Sequence, residues 1–255
     1  METREDIFGM CDKNMNEKKP LEGSISPEVV EEYYDNVYAK PPIAKVQRRR
    51  EESGYARFLD LLEVEPGKIL LDIACGSGGL LAQAERRGLC CYGVDISGVA
   101  LAEAQRRTKA TLQRANVNEG LPYPDNYFDY ITCLGSLEHF QNQAIVITEM
   151  HRVSKISGKI CILVPNNDYI LHKLHYEVDK QPIINRYSPK KWRELLENNG
   201  LLIQTIMKEN THLENLSSSS TYIKHVTKIL MHPFVRFIPL AVSYNIIFIC
   251  TPWRR

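Results

Sequence analysis

An excess of charge of either sign is absent from this sequence. Its 255 residues include 32 Lys and Arg and 31 Asp and Glu, which leaves a formal net charge of +1. Proteins that bind nucleic acids usually carry a basic excess or a basic stripe. The one arginine run, Arg48–Arg50, is followed by Glu51 and Glu52, which predicts a solvated helix face with local ion pairs. We therefore expect no nucleic-acid partner.

The sequence also lacks the paired cysteine spacing of a redox or metal site. It has seven cysteines, an odd number, and none of them forms a Cys-x-x-Cys motif. Most fall in apolar runs, which predicts reduced, buried thiols of the kind found in cytoplasmic proteins. The first residues are charged and contain no apolar stretch like that of a signal peptide. We therefore expect a cytoplasmic location.

No apolar run is long enough to predict a membrane helix. The uncharged stretch 237–253 is short for a span and is interrupted by Pro239 and Ser243. It is better interpreted as a loop that leads into a strand. We expect no transmembrane span, although a peripheral membrane contact through 222–240 stays open as an alternative.

Apolar strands alternate with helical stretches from Pro66 onward. Hydrophobic residues make up 44% of the chain and charged residues 25%, an ordinary globular composition. The predicted strands are 68–74, 91–96, 111–115, 128–134, 159–165, 202–208 and 245–251, and the predicted helices are 79–87, 98–107, 144–153 and 190–199. Near-continuous apolar strands in this alternation predict an α/β, Rossmann-like fold with a mostly parallel sheet and helices on both faces.

The region before this alternation reads as two helices and an arm. Residues 1–23 are polar and predict a flexible arm. Ser26-Pro27-Glu28 supplies an N-cap, a proline at the first helical position and an early acid, which predicts a helix to about residue 39. A second helix is expected from about residue 44 to residue 62. We expect these helices, within 24–65, to cover a site in the main domain, 66–255.

The strongest functional signal is a glycine-rich turn after the first predicted strand. The stretch Asp72–Gly79 reads Asp-Ile-Ala-Cys-Gly-Ser-Gly-Gly, and its glycines allow the backbone to approach a ligand closely. In open parallel sheets, ligands bind beyond the carboxyl ends of the strands at such a turn. Asp95 ends the second strand 19 residues after Gly76, where an acid can accept both hydroxyls of an adenosine ribose. The pattern predicts a cofactor that contains adenosine.

The same features would also fit a nicotinamide cofactor, but two details favour another one. Leu81 stands where a dinucleotide-binding fingerprint has its third glycine. Asp72, at the end of its strand, would repel a pyrophosphate but suits a ligand that carries an ammonium and a sulfonium. A nicotinamide-dependent oxidoreductase therefore stays as an alternative.

From Pro66 to Asn166 the chain resembles the class I S-adenosylmethionine (SAM)-dependent methyltransferases, in the small-molecule branch that includes ubiquinone and menaquinone methylating enzymes. The resemblance is carried by Asp72–Gly78, Gly93–Ser97, Leu121–Asp129, Leu137–His139, Glu149–Val153 and Gly158–Ile160. It implies SAM as the cofactor, a small-molecule acceptor, and a seven-stranded sheet whose last strand is antiparallel.

The resemblance also implies a set of SAM-binding residues. They are Asp72, Ala74, Cys75, Gly76, Gly78, Asp95, Ile96, Asn116, Val117 and Leu134. Asn116 departs from the family, which usually has an acid near the adenine amino group, but its side-chain oxygen can accept the same hydrogen bond. The family's Lys-Pro-Gly-Gly is replaced by Ile156–Lys159, which we expect to change only a loop.

His139 is the candidate catalytic base, with Glu138 as its partner. It follows the strand that should end beneath the transferred methyl, where it could take a proton from an acceptor hydroxyl or amine. The alternative is that His139 only orders the loop. The spacing of His172 and His175 could suit a metal, but a pocket-lining or solvent-facing role is favoured, and we expect no metal.

Two long connections should project from the carboxyl edge of the sheet. The insertions 166–187 and 210–243 exceed the usual connection of about 2–6 residues, and long insertions at this edge commonly cover sites. The first carries Tyr169 and Gln181 as candidate acceptor contacts. We expect a lid over a partly apolar acceptor methylated on oxygen or nitrogen. The alternatives are that the second insertion packs on the sheet or contacts a partner, and that the protein is a SAM-binding scaffold without chemistry.

Overall fold

The structure, a computed structural model, describes residues 25–39, 54–169, 181–209, 239–240 and 243–254. Some of the expectations above concern residues outside these ranges. They include the arm 1–23, the arginine run Arg48–Arg50, the pair His172 and His175, part of the insertion 166–187, and most of the insertion 210–243, including 222–238 of the segment 222–240.

A seven-stranded sheet with the strand order β3-β2-β1-β4-β5-β7-β6 forms the centre of the fold. Its strands are β1 (Ile69–Ile73), β2 (Cys90–Asp95), β3 (Thr111–Arg114), β4 (Phe128–Leu134), β5 (Ser154–Pro165), β6 (Leu201–Glu209) and β7 (Asn245–Pro252). The strands β1 to β5 pair in parallel, and β7 is antiparallel to both of its neighbours, β5 and β6. The predicted α/β sheet with an antiparallel last strand is confirmed.

The helices begin within one residue of the predicted positions, except that the expected start of the second helix, about residue 44, lies outside the described residues. The helices are α1 (Pro27–Tyr38), α2 (54–62), α3 (Gly79–Arg86), α4 (Gly98–Gln105), α5 (Gln143–Val153) and α6 (Pro189–Asn198), with 3₁₀ helices η1 (Val117–Glu119) and η2 (Leu137–His139). The side chains of Ser97, Asn142 and Ser188 cap their helices by accepting an N–H three residues further on. Ser26 precedes α1 but makes no side-chain cap.

Strand β5 begins earlier than predicted. The sequence places Ile156–Lys159 in a loop, but β5 starts at Ser154 and contains this stretch. The pairing moves from Phe128↔Ser154 directly to Tyr130↔Lys159, so several residues of β5 bulge out of the ladder. The stretch that differs from the family pattern, Ile156–Lys159, therefore lies in a bulge within a strand. A bulge admits extra residues without ending the pairing.

Both faces of the sheet are buried, as the apolar strands require. On β1, Leu71 and Ile73 belong to a core that includes α5 and α6, whereas Leu70 belongs to a core with α2 and α3. All three are fully buried, and burial of such a side chain stabilises a fold by about 1.5–3 kcal/mol. Because β1 pairs in parallel with both β2 and β4, its carboxyl end and the following turn lie at the same edge of the sheet as the ends of those strands.

The strand order reverses at β1. The chain proceeds from β1 to β2 and β3 on one side, and then crosses to β4 on the other side. In open α/β sheets the crevice at this switch point, outside the carboxyl ends of the strands, is where ligands bind. The glycine-rich turn after β1 lies at this position.

The cysteines match their predicted state in the part of the chain that the structure describes. Six free cysteines are found there, of which five are buried and only Cys90 is exposed. Among the helices in the same ranges, none combines the length and the apolar character needed to cross a membrane.

Packing around Gly93 on β2 provides a test of this core. A Cβ at Gly93 would stand 2.7 Å from Leu81 Cδ1 and 2.8 Å from Cys75 Sγ. We expect Gly93→Ala to lower the free energy of unfolding by about 1–3 kcal/mol, because overpacking forces neighbours out of position. Gly54→Ala is the matched control, since no heavy atom lies within 4 Å of a Cβ there. Urea denaturation measures both, and equal stability of the two variants would contradict the packing described.

Candidate active site

A cavity of about 540 Å³ opens at the carboxyl edge of the sheet, beyond the ends of β1, β2 and β4. This volume lies in the range of about 300–1,000 Å³ that is typical of small-molecule sites. The turns after the strands contribute Ala74–Ser77, Gly79, Asp95, Ile96, Ala115–Asn118, Leu134–Ser136 and His139–Gln141, and the opposite wall contains Pro27, Val30, Tyr34, Tyr38, Tyr55, Gln181 and Ile183.

Most of the residues predicted for the site meet in this cavity. Its lining includes Ala74, Cys75, Gly76, Asp95, Ile96, Asn116, Val117, Leu134 and His139. Three predicted residues, Asp72, Gly78 and Glu138, are not part of the lining. Gly78 and Glu138 each adjoin a lining residue in the sequence, and Asp72 comes two residues before Ala74.

The glycine-rich turn brings backbone, not side chains, to the cavity. Ala74 and Gly76 both have positive φ, at 56° and 51°. Such a φ is costly for alanine, and residues of this kind cluster at functional sites. A Cβ at Gly76 would overlap the Tyr38 hydroxyl, so only glycine fits there. Gly78 requires glycine for a different reason. A Cβ there would stand 3.0 Å from Ala104 Cβ, so the absence of a side chain lets α4 pack closely against the turn.

The Asp95 carboxylate connects the turns after β1 and β2. Its Oδ2 accepts the Gly76 N–H at 2.8 Å, and its Oδ1 accepts the Ser97 N–H at 2.9 Å. Burial raises the pKa of Asp95, these backbone hydrogen bonds oppose the rise, and the nearby Asp35 carboxylate adds to it. Each carboxylate oxygen can accept a second hydrogen bond, so Asp95 can still receive hydroxyl donors from the cavity.

Asp72 is buried behind the turn. Its Oδ1 accepts the Thr132 hydroxyl at 2.6 Å, across from β4. Burial raises the pKa of Asp72 to about 7, although the Thr132 hydrogen bond lowers it, and the charge of Asp95 raises it further. The sequence suggested direct contact with a cationic ligand; in the structure Asp72 is not among the residues that line the cavity, and its Oδ1 is engaged between two strands.

Asn116 lines the cavity, but its side chain is engaged locally. Its Oδ1 accepts both the Asn118 N–H at 3.2 Å and the Asn118 side-chain amide at 3.0 Å, and its Nδ2 donates to Glu119 at 2.7 Å. An amide oxygen has two lone pairs, so an adenine amino group would compete with Asn118 for this acceptor. The expected hydrogen bond to adenine is therefore disfavoured in this arrangement, and Asn116 acts as the cap of η1.

His139 lies on η2 and presents a defined ring tautomer. Its Nδ1 lies 2.8 Å from the Ile183 carbonyl oxygen. Because a carbonyl only accepts hydrogen bonds, Nδ1 carries the proton and the lone pair of the neutral ring is on Nε2. Glu138 Oε1 lies 3.6 Å from that Nε2, and the Glu138 side chain is almost fully buried. A carboxylate at this distance stabilises positive charge on the ring.

Helix α1 forms the roof of the cavity. Pro27, Val30, Tyr34 and Tyr38 lie on its inner face, although none of its residues is fully buried. Asp35 fastens it to the start of α4 by accepting the Ser97 hydroxyl at 2.5 Å and the Val99 N–H at 3.2 Å.

Two other polar contacts hold the N-terminal half of α1: Glu31 pairs with Arg114, and the Ile25 carbonyl, just before the helix, accepts from the Gln141 side-chain amide. The site roles of Tyr34 and Tyr38 were missed from the sequence. Their spacing with Pro27 and Val30, along one helix face, was the signal that could have found them.

The end of the first insertion passes over η2 and meets α1. The Tyr34 hydroxyl donates to Gln181 Oε1 at 2.9 Å, and Ile183 lies against His139. Gln181 was named from the sequence as an acceptor contact, but the Ile183 backbone carbonyl was not. Backbone contacts of this kind leave no residue-type signal.

The cavity is uncharged apart from one carboxylate. Among its described lining residues there is no Lys or Arg, and Asp95 is the only acid. Neither do the described ranges hold any group of three or more His, Cys, Asp or Glu that could bind a metal ion. A glycine turn, a buried acid and aromatic walls fit a nucleoside-containing cofactor with an apolar second ligand beside it.

A family model described as a methyltransferase domain matches residues 46–206, more than half of the chain. Among curated relatives, the demethylmenaquinone methyltransferase of Geobacillus sp. (strain WCH70) is 27% identical over 180 residues, which are 66% of this chain and 74% of that protein.

Two solved structures of methyltransferases share the fold. Haemonchus contortus phosphoethanolamine N-methyltransferase 2, in complex with SAM, has a TM-score of 0.67 at 16% identity over 91% of this chain and 61% of that chain. The geranyl diphosphate C-methyltransferase from Streptomyces coelicolor A3(2), in complex with Mg²⁺, geranyl diphosphate and S-adenosylhomocysteine, has a TM-score of 0.64 at 16% identity, over 90% and 99% of the respective chains. At these identities the similarity shows the fold alone.

The raised pKa of Asp72 predicts a pH dependence of stability. In the folded protein this carboxyl keeps its proton up to about pH 7, whereas its unfolded pKa is near 3.8. The folded state therefore binds more protons between these values, and Asp72 makes stability fall as pH rises from about 4 to 7. The Asn side chain of Asp72→Asn can still accept the Thr132 hydroxyl. We expect its free energy of unfolding to exceed that of the parent by up to about 4 kcal/mol at pH 8 and by little at pH 4.

Asp129→Asn provides the control with the opposite sign. Burial raises the pKa of Asp129, but hydrogen bonds from Lys155 and the Ile69 N–H outweigh this effect, so the pKa is lowered. Asp129 therefore stabilises the folded protein above its unfolded pKa, and this contribution is lost as the pH falls. Chemical denaturation at pH 4, 6 and 8 measures both variants. An Asp72→Asn protein whose stability declines with pH as steeply as the parent would refute the assignment.

Proposed function

This chain belongs to the class I SAM-dependent methyltransferases, and we propose that it transfers the methyl group of SAM to an oxygen or nitrogen of an uncharged, partly apolar small molecule. One observation carries the proposal. The glycine turn and Asp95 share a single cavity with His139 and a wall of aromatic and apolar side chains. The cofactor side and the acceptor side are therefore adjacent.

SAM, when bound, supplies a methyl group on a positively charged sulfur. The backbone of Ala74–Ser77, with Ile96, Val117 and Leu134, would hold it, and Asp95 would accept its ribose hydroxyls while keeping its bonds to the two turns. Asp72 would act from behind the lining, at the end of β1, where it bonds Thr132 of β4.

The task left to the protein is alignment. Methyl transfer needs the acceptor atom, the methyl carbon and the sulfur in one line, and proximity and orientation can supply about 7–11 kcal/mol at best. Helix α1 on one side and η2 on the other would enclose the acceptor between the Tyr34 and Phe140 rings. The insertion 166–187 would complete this cover, as the position of Gln181 and Ile183 suggests.

His139 would be the general base. An acceptor hydroxyl or amine loses its proton to Nε2, the nitrogen with the lone pair, while Nδ1–H stays bonded to the Ile183 carbonyl. Glu138 would stabilise the imidazolium formed in this step. A base held by a third group in this way is the usual arrangement in acid–base catalysis.

The lining supports an uncharged acceptor. A phosphate or carboxylate would need Lys or Arg partners, because burying an unpaired charge is costly, and none lines the described part of the cavity. The demethylmenaquinone methyltransferase relatives point to a quinone-type acceptor, whereas the phosphoethanolamine and geranyl diphosphate enzymes act on phosphorylated compounds. We therefore propose a hydroxylated or amino-substituted aromatic compound for this chain.

Cofactor binding can be tested at Asp95. We expect Asp95→Asn to weaken SAM and S-adenosylhomocysteine about 10- to 100-fold, since hydrogen bonds to charged groups contribute about 1.5–3 kcal/mol each. The two ligands should weaken alike, because the ribose is common to both. Asp129→Asn is the matched control, a strand carboxylate that also accepts a backbone N–H but lies at the opposite edge of the sheet. Calorimetry that finds unchanged SAM affinity in Asp95→Asn would remove Asp95 from the site.

Turnover can be tested with acceptors of different charge. Methyl transfer from isotopically labelled SAM is measured to a hydroquinone with an apolar tail, an aromatic amine, phosphoethanolamine and geranyl diphosphate. We expect kcat/KM for an uncharged aromatic acceptor to exceed that for either phosphorylated compound by at least about tenfold, equivalent to about 1.4 kcal/mol. Comparable transfer to a phosphorylated compound would contradict the proposed class, and SAM binding without any transfer would favour the scaffold.

The base is tested with the best acceptor from that series. We expect His139→Asn to lower kcat about 10²- to 10⁴-fold, the usual cost of losing a general base. The rise of kcat with pH, which reflects deprotonation of the base, should disappear with it. SAM affinity is the control and should stay unchanged. Near-parental turnover with the same pH profile would mean that His139 only orders the loop.

A further inference from the structure

Asn185 bonds both backbone carbonyls next to the proposed base. Its backbone N–H donates to the Glu138 carbonyl at 2.8 Å, and its side-chain Nδ2 donates to the Phe140 carbonyl at 3.2 Å. Glu138 and Phe140 are the two chain neighbours of His139. One residue of the insertion 166–187 therefore holds the backbone of His139 from both sides.

The regular structure that contains His139 is short. The 3₁₀ helix η2 spans three residues, with the His139 N–H bonded to Ser136 at 2.9 Å and the Phe140 N–H to Leu137 at 3.4 Å. A single 3₁₀ turn has poor hydrogen-bond geometry and does not by itself fix a side chain. The bonds from Asn185 therefore add support from outside η2 to the backbone that carries the ring.

Ile183, two residues before Asn185, supplies the carbonyl that accepts from His139 Nδ1. The segment is anchored on both sides of these contacts. Tyr34 donates to Gln181 at one end, and at the other end the Asn167 N–H donates to the Tyr187 carbonyl at 3.1 Å. Asn185 is the point at which this anchored segment grips η2, so it sets the distance between the Ile183 carbonyl and the imidazole.

We propose that Asn185 is a positioning residue for the base: by clamping η2 to 183–185 it keeps the proton of neutral His139 on Nδ1 and the lone pair on Nε2. The inference rests on the proposed function, in which Nε2 receives the proton. It also couples the base to the acceptor cover, since the segment that covers the cavity beside Tyr34 is the one that sets the ring tautomer.

The test uses Asn185→Ala, with Asn185→Asp as a second variant of the same size that also loses the amide donor. Asn199→Ala is the matched control, because Asn199 donates its side-chain amide to the Leu195 carbonyl at 2.7 Å, at the end of α6. The first measurement is nitrogen NMR of histidine labelled in the ring, with the His139 signal among the seven histidines assigned by its loss in His139→Gln. The second is kcat and KM with the best acceptor.

We expect neutral His139 to be protonated on Nδ1 in the parent and in Asn199→Ala, and to shift toward the Nε2-protonated form in both Asn185 variants. We expect kcat to fall about 3- to 10-fold in the Asn185 variants, the equivalent of one ordinary hydrogen bond, with KM for SAM within about twofold of the parent. Asn199→Ala should keep kcat, because it loses a comparable bond away from the cavity.

An unchanged tautomer in folded Asn185→Ala and Asn185→Asp would overturn the inference, and so would an equal fall of kcat in Asn199→Ala. Failure of the base assignment gives a different result. In that case His139→Asn is fully active, although the tautomer still responds to Asn185.

Discussion

Two backbone N–H groups converge on the Asp95 carboxylate, one from the turn after β1 and one from the turn after β2. A buried carboxylate needs such partners, and both turns take their shape from meeting this need. Gly76 must approach closely, so it adopts a positive φ and leaves no space for a Cβ. The cavity exists because β1 and β2 are parallel neighbours whose turns are joined at this point.

The electrostatics of the site follow from the same arrangement. Asp72 and Asp95 are both buried near the end of β1; burial raises the pKa of both, and the charge of Asp95 raises that of Asp72 further. Thr132 and the backbone N–H groups offset part of that cost. The described walls of the cavity add no further charge, so a ligand bearing positive charge would meet Asp95 without a competing cation.

The elements that would enclose the acceptor, α1 and the segment 181–187, are held in place mainly by polar contacts. Helix α1 buries none of its residues fully and is held mainly by polar contacts such as that of Asp35 with Ser97. The segment 181–187 is bonded to η2 and Phe140 through backbone carbonyls on both sides, those of Ile183, Glu138 and Phe140. These elements are attached to the sheet without belonging to its core, which suits a region that must admit and release ligands. The family match identifies SAM, not a nicotinamide, as the cofactor. The choice of acceptor depends on this less tightly packed side of the cavity.

Local signals in the sequence determined the sheet, the helix starts and the glycine turn. Apolar strands, proline after an N-cap and a glycine run each specify structure within a few residues, so β4 and the start of α6 at Ser188-Pro189 could be read directly. Asp95 was also predictable, because its spacing from Gly76 follows from one βαβ unit. Tertiary structure alone decided the partners of Asp72, the bulge in β5, and the hydrogen bonds of Asn185 to the backbone beside His139. These depend on which distant segments meet, and since backbone carbonyls are common to all residues, no residue type in the sequence marks such contacts.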